Sequence, residues 1–230
     1  MKVHRFLVSG ELSTGAFTLE DTELYNQIRN VLKLAVGERV ILFNGTGIEA
    51  AGSIAEIGKK GITLEIAEVY KNSSEPKRKV RLYLAILKNE HFELAVQKAV
   101  ECGVGEIIPV ITSRTVKLGL KPERTIKIMR EAAEQSGRGV VPVLREPLSF
   151  EDALKHAGEN GENFFCDGRA KRSGLKPKGE RVGVWIGPEG GFSPEEIAEA
   201  EAAQFQSVSL GELTLRAETA AIVATYLAAH

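Results

Sequence analysis

Glu189 lies inside the turn Gly187-Pro188-Glu189-Gly190-Gly191, between the apolar run 182–186 and the stretch Ser193-Pro194-Glu195-Glu196. The apolar run has the length of a buried strand, and the second stretch is a capping box with proline at the first helical position. Together they predict a strand, a glycine-rich loop and a helix, an arrangement that places ligands at the carboxyl ends of open α/β sheets. Loops of this kind usually offer their amides to phosphate. A second anion at contact distance from the Glu189 carboxylate would be repelled by about 4 kcal/mol at an effective dielectric of 20. No GxxxxGK[ST] and no GxGxxG with a later ribose-binding acid occurs. A ligand with a cationic or neutral polar centre fits this loop better than a dinucleotide.

The arrangement recurs in "SVSLGELTLRAETAAIVATYL". There a strand is expected to end at Leu210-Gly211, with an irregular stretch and then a helix from about Ala217. Arg216 and Glu218 flank that helix start, and Thr219 follows. An isolated Arg and Glu at a helix end usually form a surface ion pair worth under about 1 kcal/mol. Two glycine-bearing strand ends in one sheet are a better basis for a site.

The elements that must hold these loops follow from periodicity. Residues 1 to about 70 read as mostly β, with Asn44-Gly45 as a hairpin signal. One short helix fits "EDTELYNQIRNVLKL", with Leu24, Ile28, Val31 and Leu32 on one face. The polar stretch "KNSSEPKRK" marks the boundary between a domain at 1–72 and another at 73–230. Beyond it, continuous apolar strands alternate with helices of three-and-four spacing, which predicts an α/β domain with a mostly parallel sheet covered on both faces.

Of the 230 residues, 30 are Lys or Arg and 31 are Asp or Glu, so bulk charge points to no polyanionic partner and any nucleic-acid surface must be local. One local concentration is "RAKRSGLKPKGER", with six basic residues against one acid. Cys102 and Cys166 form no CxxC and no His/Cys cluster, so two reduced thiols and no metal are expected. The opening "MKVHRFLVSGELSTG" has no apolar core of signal-peptide length, and no run approaches a membrane span. A cytoplasmic protein with no membrane partner is expected.

Four ordered segments carry a resemblance to a known family. "IGPEGGFSPEE" with "LGELTLRAETA", "QKAVECGVGEIIPV", "EAAEQSGRGVVP" and "VLKLAVGERVILFNGTG" together resemble the bacterial small-subunit ribosomal RNA uridine N3-methyltransferases, a family of the SPOUT superfamily of trefoil-knotted methyltransferases. The likeness spans essentially the whole chain. There are departures: Lys33 stands where arginine is usual, "NQIRN" lacks an upstream histidine, and Thr214 replaces a bulkier aliphatic residue. None of them removes a group needed for methyl transfer.

The resemblance implies a PUA-like β-barrel domain for RNA binding, ahead of a methyltransferase domain that binds S-adenosylmethionine in a knot of three loops. The third loop would be "CDGRA" at 166–170. The implied donor-binding residues are Cys166, Gly168, Ile186, Gly187, Glu189, Gly190, Gly191, Leu210, Gly211, Leu215, Arg216, Thr219 and Ala220. The donor is a sulfonium without phosphate, so an acidic side chain in the loop is tolerable. Methyl transfer is an in-line displacement in which positioning supplies most of the rate. Arg216 is the expected cation for a developing uridinate, with Glu218 and Glu189 as weaker candidates for orientation or proton acceptance. The implied partner is 16S ribosomal RNA, in the assembled small subunit, and the implied assembly is a homodimer with the closing helix at the interface. Arg5, Arg29, Lys33, Arg114, Arg138, Arg169 and Arg172 are candidate RNA contacts, and base extrusion would be needed to expose N3. Three other readings remain open on the residues. They are a SPOUT enzyme acting on transfer RNA or a ribose hydroxyl, a non-catalytic RNA-binding protein of PUA type, and a nucleotide-binding α/β enzyme.

Overall fold

The structure is a computed structural model that describes residues 3–59, 61–115, 119–171 and 174–230. The chain divides into two compact units. One comprises Met1–Glu75 with Ala133–Val141, and the other Pro76–Ala132 with Pro142–His230.

In the first unit, strands β1 (His4–Leu7), β2 (Gly15–Leu19), β3 (Arg39–Phe43), β4 (Ile48–Ile57) and β5 (Ile62–Lys71) form a sheet of order β1-β3-β4-β5-β2. Alternating apolar positions point one face inward, and Phe6, Leu42, Ile54 and Leu64 are buried there with Ile28. The hairpin expected at Asn44-Gly45 joins β3 to β4. Gly45 takes a positive φ of 77°, and Asn44 Oδ1 accepts from Thr46 N at 3.0 Å.

Helix α1 (Thr22–Asn26) is capped by Asp21 and passes into a π-helical turn over Gln27–Val31. The extra residue in that turn corrects the expected apolar face. Ile28 is buried, and Leu24 and Leu32 pack against the same core, but Val31 is 67% exposed.

The segment 133–141 pairs with this unit's backbone. Gly47 N donates to Gly139 O at 2.9 Å and Asn72 Nδ2 donates to Gly137 O at 3.0 Å, while the Glu75 carboxylate accepts from Gly139 N and Val140 N at 3.0 Å each. Glu49, 2% exposed, is paired with Arg5 and accepts from Asn72.

The second unit holds β6 (Lys79–Ala85), α2 (Asn89–Glu101), β7 (Glu106–Ile111), α3 (Pro122–Ser136, whose last residues belong to the first unit), β8 (Val143–Leu144), β9 (Leu148–Ser149), α4 (Phe150–Ala157), β10 (Glu162–Cys166), β11 (Arg181–Ile186), α5 (Pro194–Ala202), β12 (Gln206–Val208) and α6 (Ala217–Ala229). Its strands run β12-β10-β11-β6-β7-β8, with β9 also on β7, and every pairing is parallel. Register aligns Cys166 with both Ile186 and Val208. The carboxyl ends of β10, β11 and β12 therefore emerge side by side.

Beneath these ends lies an aromatic layer in which Tyr83 stacks on Trp185 at 4.3 Å and Phe165 meets Phe192 at 4.1 Å. Burial pushes the Tyr83 hydroxyl up to about 12, against the opposing hydrogen bond from Asn160. Asn160 Nδ2 lies 3.2 Å from that hydroxyl and donates to Asn163 Oδ1 at 2.8 Å.

Gly183 in β11 leaves room for these amides. A Cβ there would overlap Asn163 Oδ1 and lie 2.5 Å from Asn160 Nδ2. Gly183→Ala is accordingly expected to cost about 1–3 kcal/mol through overpacking and broken amide contacts. Urea unfolding with an unchanged m-value measures this. A loss below about 0.5 kcal/mol would mean that the two amides step aside without cost.

Candidate functional site

Each of the three adjacent strand ends feeds a loop, and the loops enclose a cavity of about 770 Å³ in the second unit. The loop after β11 is held tightly. Gly187 faces the Phe192 ring, where a Cβ would sit 3.0 Å from the ring carbons, and Gly191 has a φ of 68°. Both halves of the expected capping box are made, with Ser193 Oγ accepting from Glu196 N at 3.2 Å and Glu196 Oε2 accepting from Ser193 N at 2.8 Å. The other oxygen of this buried carboxylate accepts from Ser113 N at 2.7 Å. That bond ties down the segment after β7, whose next residue, Arg114, donates Nη1 to Gly190 O at 2.6 Å. Glu189 itself is exposed, with Oε1 3.4 Å from Lys88 N.

The loop after β12 turns at Gly211, with a φ of 146°, and reaches α6 through Arg216 at the N-cap. Arg216 is exposed and has no ion pair among the described residues. Glu218, in the first turn of α6, is buried, and its Oε1 lies 3.3 Å from Nδ1 of His91 on α2.

In the loop after β10, burial raises the Asp167 carboxyl, but hydrogen bonds from the Arg169 side chain and amide outweigh it and leave the group below the usual carboxylate range. Those side-chain bonds, at 3.0 and 2.8 Å, engage the Arg169 guanidinium within its own loop. Burial pushes the Cys166 thiol up to about 12, so it carries no thiolate at neutral pH.

Cys166, Gly168, Ile186, Gly187, Glu189, Gly190, Gly191, Leu210, Gly211, Leu215, Arg216, Glu218 and Ala220 all line the cavity, as do Arg114 and Arg169. Thr219 does not line it and is exposed. The remaining arginines divide sharply. Arg29 and Lys33 are exposed on the first unit, Lys33 with a positive φ of 54°. Arg5 and Arg138 are instead committed to ion pairs inside that unit, with Glu49 and Glu75, and their side chains are only 15% and 7% exposed. Their guanidiniums are thus engaged within the unit. Arg172 lies outside the described residues.

The cavity also includes His91, Asp167, Phe192 and Leu213, which sequence reasoning did not select. Phe192 and Asp167 were within reach of inference, since each adjoins a selected glycine loop. His91 carries no local signal, standing alone at the start of an ordinary amphipathic helix. Among the described residues, no group of three or more His, Cys, Asp or Glu side chains is placed to hold a metal ion, and no helix is long and apolar enough to cross a membrane.

The chain thus combines a parallel α/β unit, whose three adjacent strand ends feed loops around one cavity, with a β-rich unit. Residues 73–229 match the RNA methyltransferase domain, and residues 19–67 match the RNA methyltransferase PUA domain. The chain belongs to the ribosomal RNA small subunit methyltransferase E family. It is 41% identical over 164 residues to the Mesomycoplasma hyopneumoniae protein of that name, covering 69% of this chain and 72% of the other. With the Rickettsia conorii protein it shares 31% identity over 232 residues, 97% and 94% of the two chains. The crystal structure of the Neisseria gonorrhoeae ribosomal RNA small subunit methyltransferase E, bound to S-adenosyl methionine, superimposes with a TM-score of 0.89 at 29% identity, covering 97% of this chain and 95% of that one.

Proposed function

We propose that this protein transfers the methyl group of S-adenosylmethionine to uridine N3 in small-subunit ribosomal RNA. The observation that carries the reading is the convergence of three glycine-bearing loops on one cavity that holds Arg216, Glu218 and Glu189 and has no phosphate-loop signature. The Gly187–Gly191 and Leu210–Leu215 stretches supply backbone around the donor, and the apolar wall at Ile186 and Leu210 suits its adenine. S-adenosylmethionine brings the electrophile, a methyl carbon on a sulfonium. Arg216, exposed at the mouth of α6 and with no ion pair among the described residues, stabilises the negative charge that develops on the uracil ring as N3 loses its proton.

RNA is gripped through Arg29 and Lys33 on the PUA domain and through the basic loop that contains Lys171, Lys176 and Lys178. Arg172 is assigned to that loop by sequence alone. The three-loop site is a knotted one in this reading, and the enzyme works in the cytoplasm on the assembled small subunit as a homodimer. Packing supports the dimer. Helix α6 lies against α2, and the two leave Leu94, Tyr226 and Leu227 at 41%, 56% and 39% exposure. A second copy would cover these apolar side chains.

Two measurements test the activity. S-adenosylhomocysteine is expected to raise the melting temperature while ATP and NAD leave it unchanged, and wild-type reactions on unmodified small subunits should yield 3-methyluridine by mass spectrometry. A different methylated nucleoside, or stronger stabilisation by ATP, would overturn the reading. For the dimer, light scattering at micromolar concentration is expected to give twice the chain mass, and Tyr226→Glu to lower it towards one chain. A wild-type monomer would remove the interface.

Arg216 and the basic loop should separate in kinetics. Arg216→Ala is expected to slow single-turnover methylation at saturating RNA by about 10²–10³, equivalent to roughly 3–4 kcal/mol. Lys176→Ala should leave that rate alone and reduce the salt dependence of RNA binding by about one phosphate contact. If Arg216→Ala alters only RNA affinity, the residue is a phosphate clamp.

A further inference from the structure

With Arg216 as the cation at the uracil ring, the N3 proton still needs an acceptor. Three carboxylates line the cavity: Asp167, Glu189 and Glu218. Asp167 is occupied by Arg169, and Glu189 is exposed beside Lys88 N at 3.4 Å. Glu218 is different. It is buried two residues beyond Arg216, its Oε1 lies 3.3 Å from His91 Nδ1, and its Oε2 has no protein partner among the described residues.

His91 is fixed by its helix. Helices α2 and α6 are in contact, and Ala95 and Ala99 on α2 and Ala221, Ala224 and Ala228 on α6 are fully buried. Small side chains let the helices approach closely, so the first turn of one meets the first turn of the other. The His91 ring, with its side chain 34% exposed, can therefore reach a carboxylate whose side chain is 10% exposed. The other charged groups lining this cavity are Arg114, Asp167, Arg169, Glu189 and Arg216. Of these, Arg216 is the cation nearest in sequence to Glu218.

Resting on the proposed uridine N3 chemistry, we infer that Glu218 accepts the N3 proton and that His91 is the positioning residue that aims it. His91 Nδ1 stands 3.3 Å from Oε1, and Oε2 is left to meet the N3–H of the extruded uridine. The N3–H bond breaks and its proton passes to Oε2. The electron pair left on N3 forms the new bond to the methyl carbon, and the carbon–sulfur pair returns to sulfur. The products are 3-methyluridine, neutral S-adenosylhomocysteine and a protonated Glu218, which releases its proton to water. Holding the acceptor in line raises the rate without adding affinity for the donor.

The test is single-turnover methylation of unmodified small subunits at saturating S-adenosylmethionine, with calorimetric binding of S-adenosylhomocysteine alongside. Glu218→Gln is expected to slow the reaction by about 10²–10⁴. His91→Ala should slow it by about 10–100-fold with donor-product affinity held within about threefold. His91→Lys, which also presents a donor to Oε1, should restore most of the rate. The double variant His91→Ala/Glu218→Gln should be no slower than Glu218→Gln, because both changes remove one unit. A His91→Ala rate within about twofold of wild type, a lysine variant as slow as the alanine one, or multiplicative effects in the double variant would each overturn the inference. The nucleoside made by wild type is scored separately. A product other than 3-methyluridine overturns the reading of function, whereas 3-methyluridine with an indifferent His91 overturns the positioning role alone.

Discussion

Parallel pairing of β10, β11 and β12 is the constraint on which the site depends. In a parallel sheet all carboxyl ends leave at the same edge, and the register of Cys166 with Ile186 and Val208 brings three of them level. Three loops from distant stretches of chain thus share one volume without any long insertion. The aromatic layer and the Asn160–Asn163–Tyr83 contacts hold the strands from beneath, so backbone precision at the rim comes from packing below it.

Rigidity is unevenly distributed around that rim. The Glu189 loop is braced on two sides, by its own capping box and by the bond from Ser113 to the same carboxylate. The loop that ends at Arg216 is held at its start, where Ser209 O accepts from Gly174 N at 2.8 Å, while Leu213 further along is 83% exposed. The same contrast separates the arginines, since those of the first unit that carry structure are buried with a carboxylate apiece and those left for solvent are not.

Much of this is legible in the sequence. The strand, glycine loop and helix around Glu189 follow from local chemistry, because Ser193-Pro194-Glu195-Glu196 encodes its own helix start. Hairpin and helix positions were legible for the same reason. Contacts between distant segments were not. His91 stands 127 residues before Glu218, and nothing in its own neighbourhood announces a partner. The ion pairs of Arg5 and Arg138 were not legible either, since their carboxylates are brought to them only by the fold. Val31 was misplaced because one π turn shifts the face that a regular helix would bury.

The return of 133–141 to the first unit bears on the order in which the chain can fold. Glu75 finds Arg138, Gly139 and Val140 only after residues 76–132 of the second unit have been made. During synthesis the Arg138 carbonyl that accepts from Arg5 is therefore made long after the residues of the amino-terminal sheet. N-terminal domains ordinarily complete first as they emerge. Here the first unit closes only once residue 141 is available, so the RNA-binding unit matures with part of the methyltransferase chain already outside the ribosome.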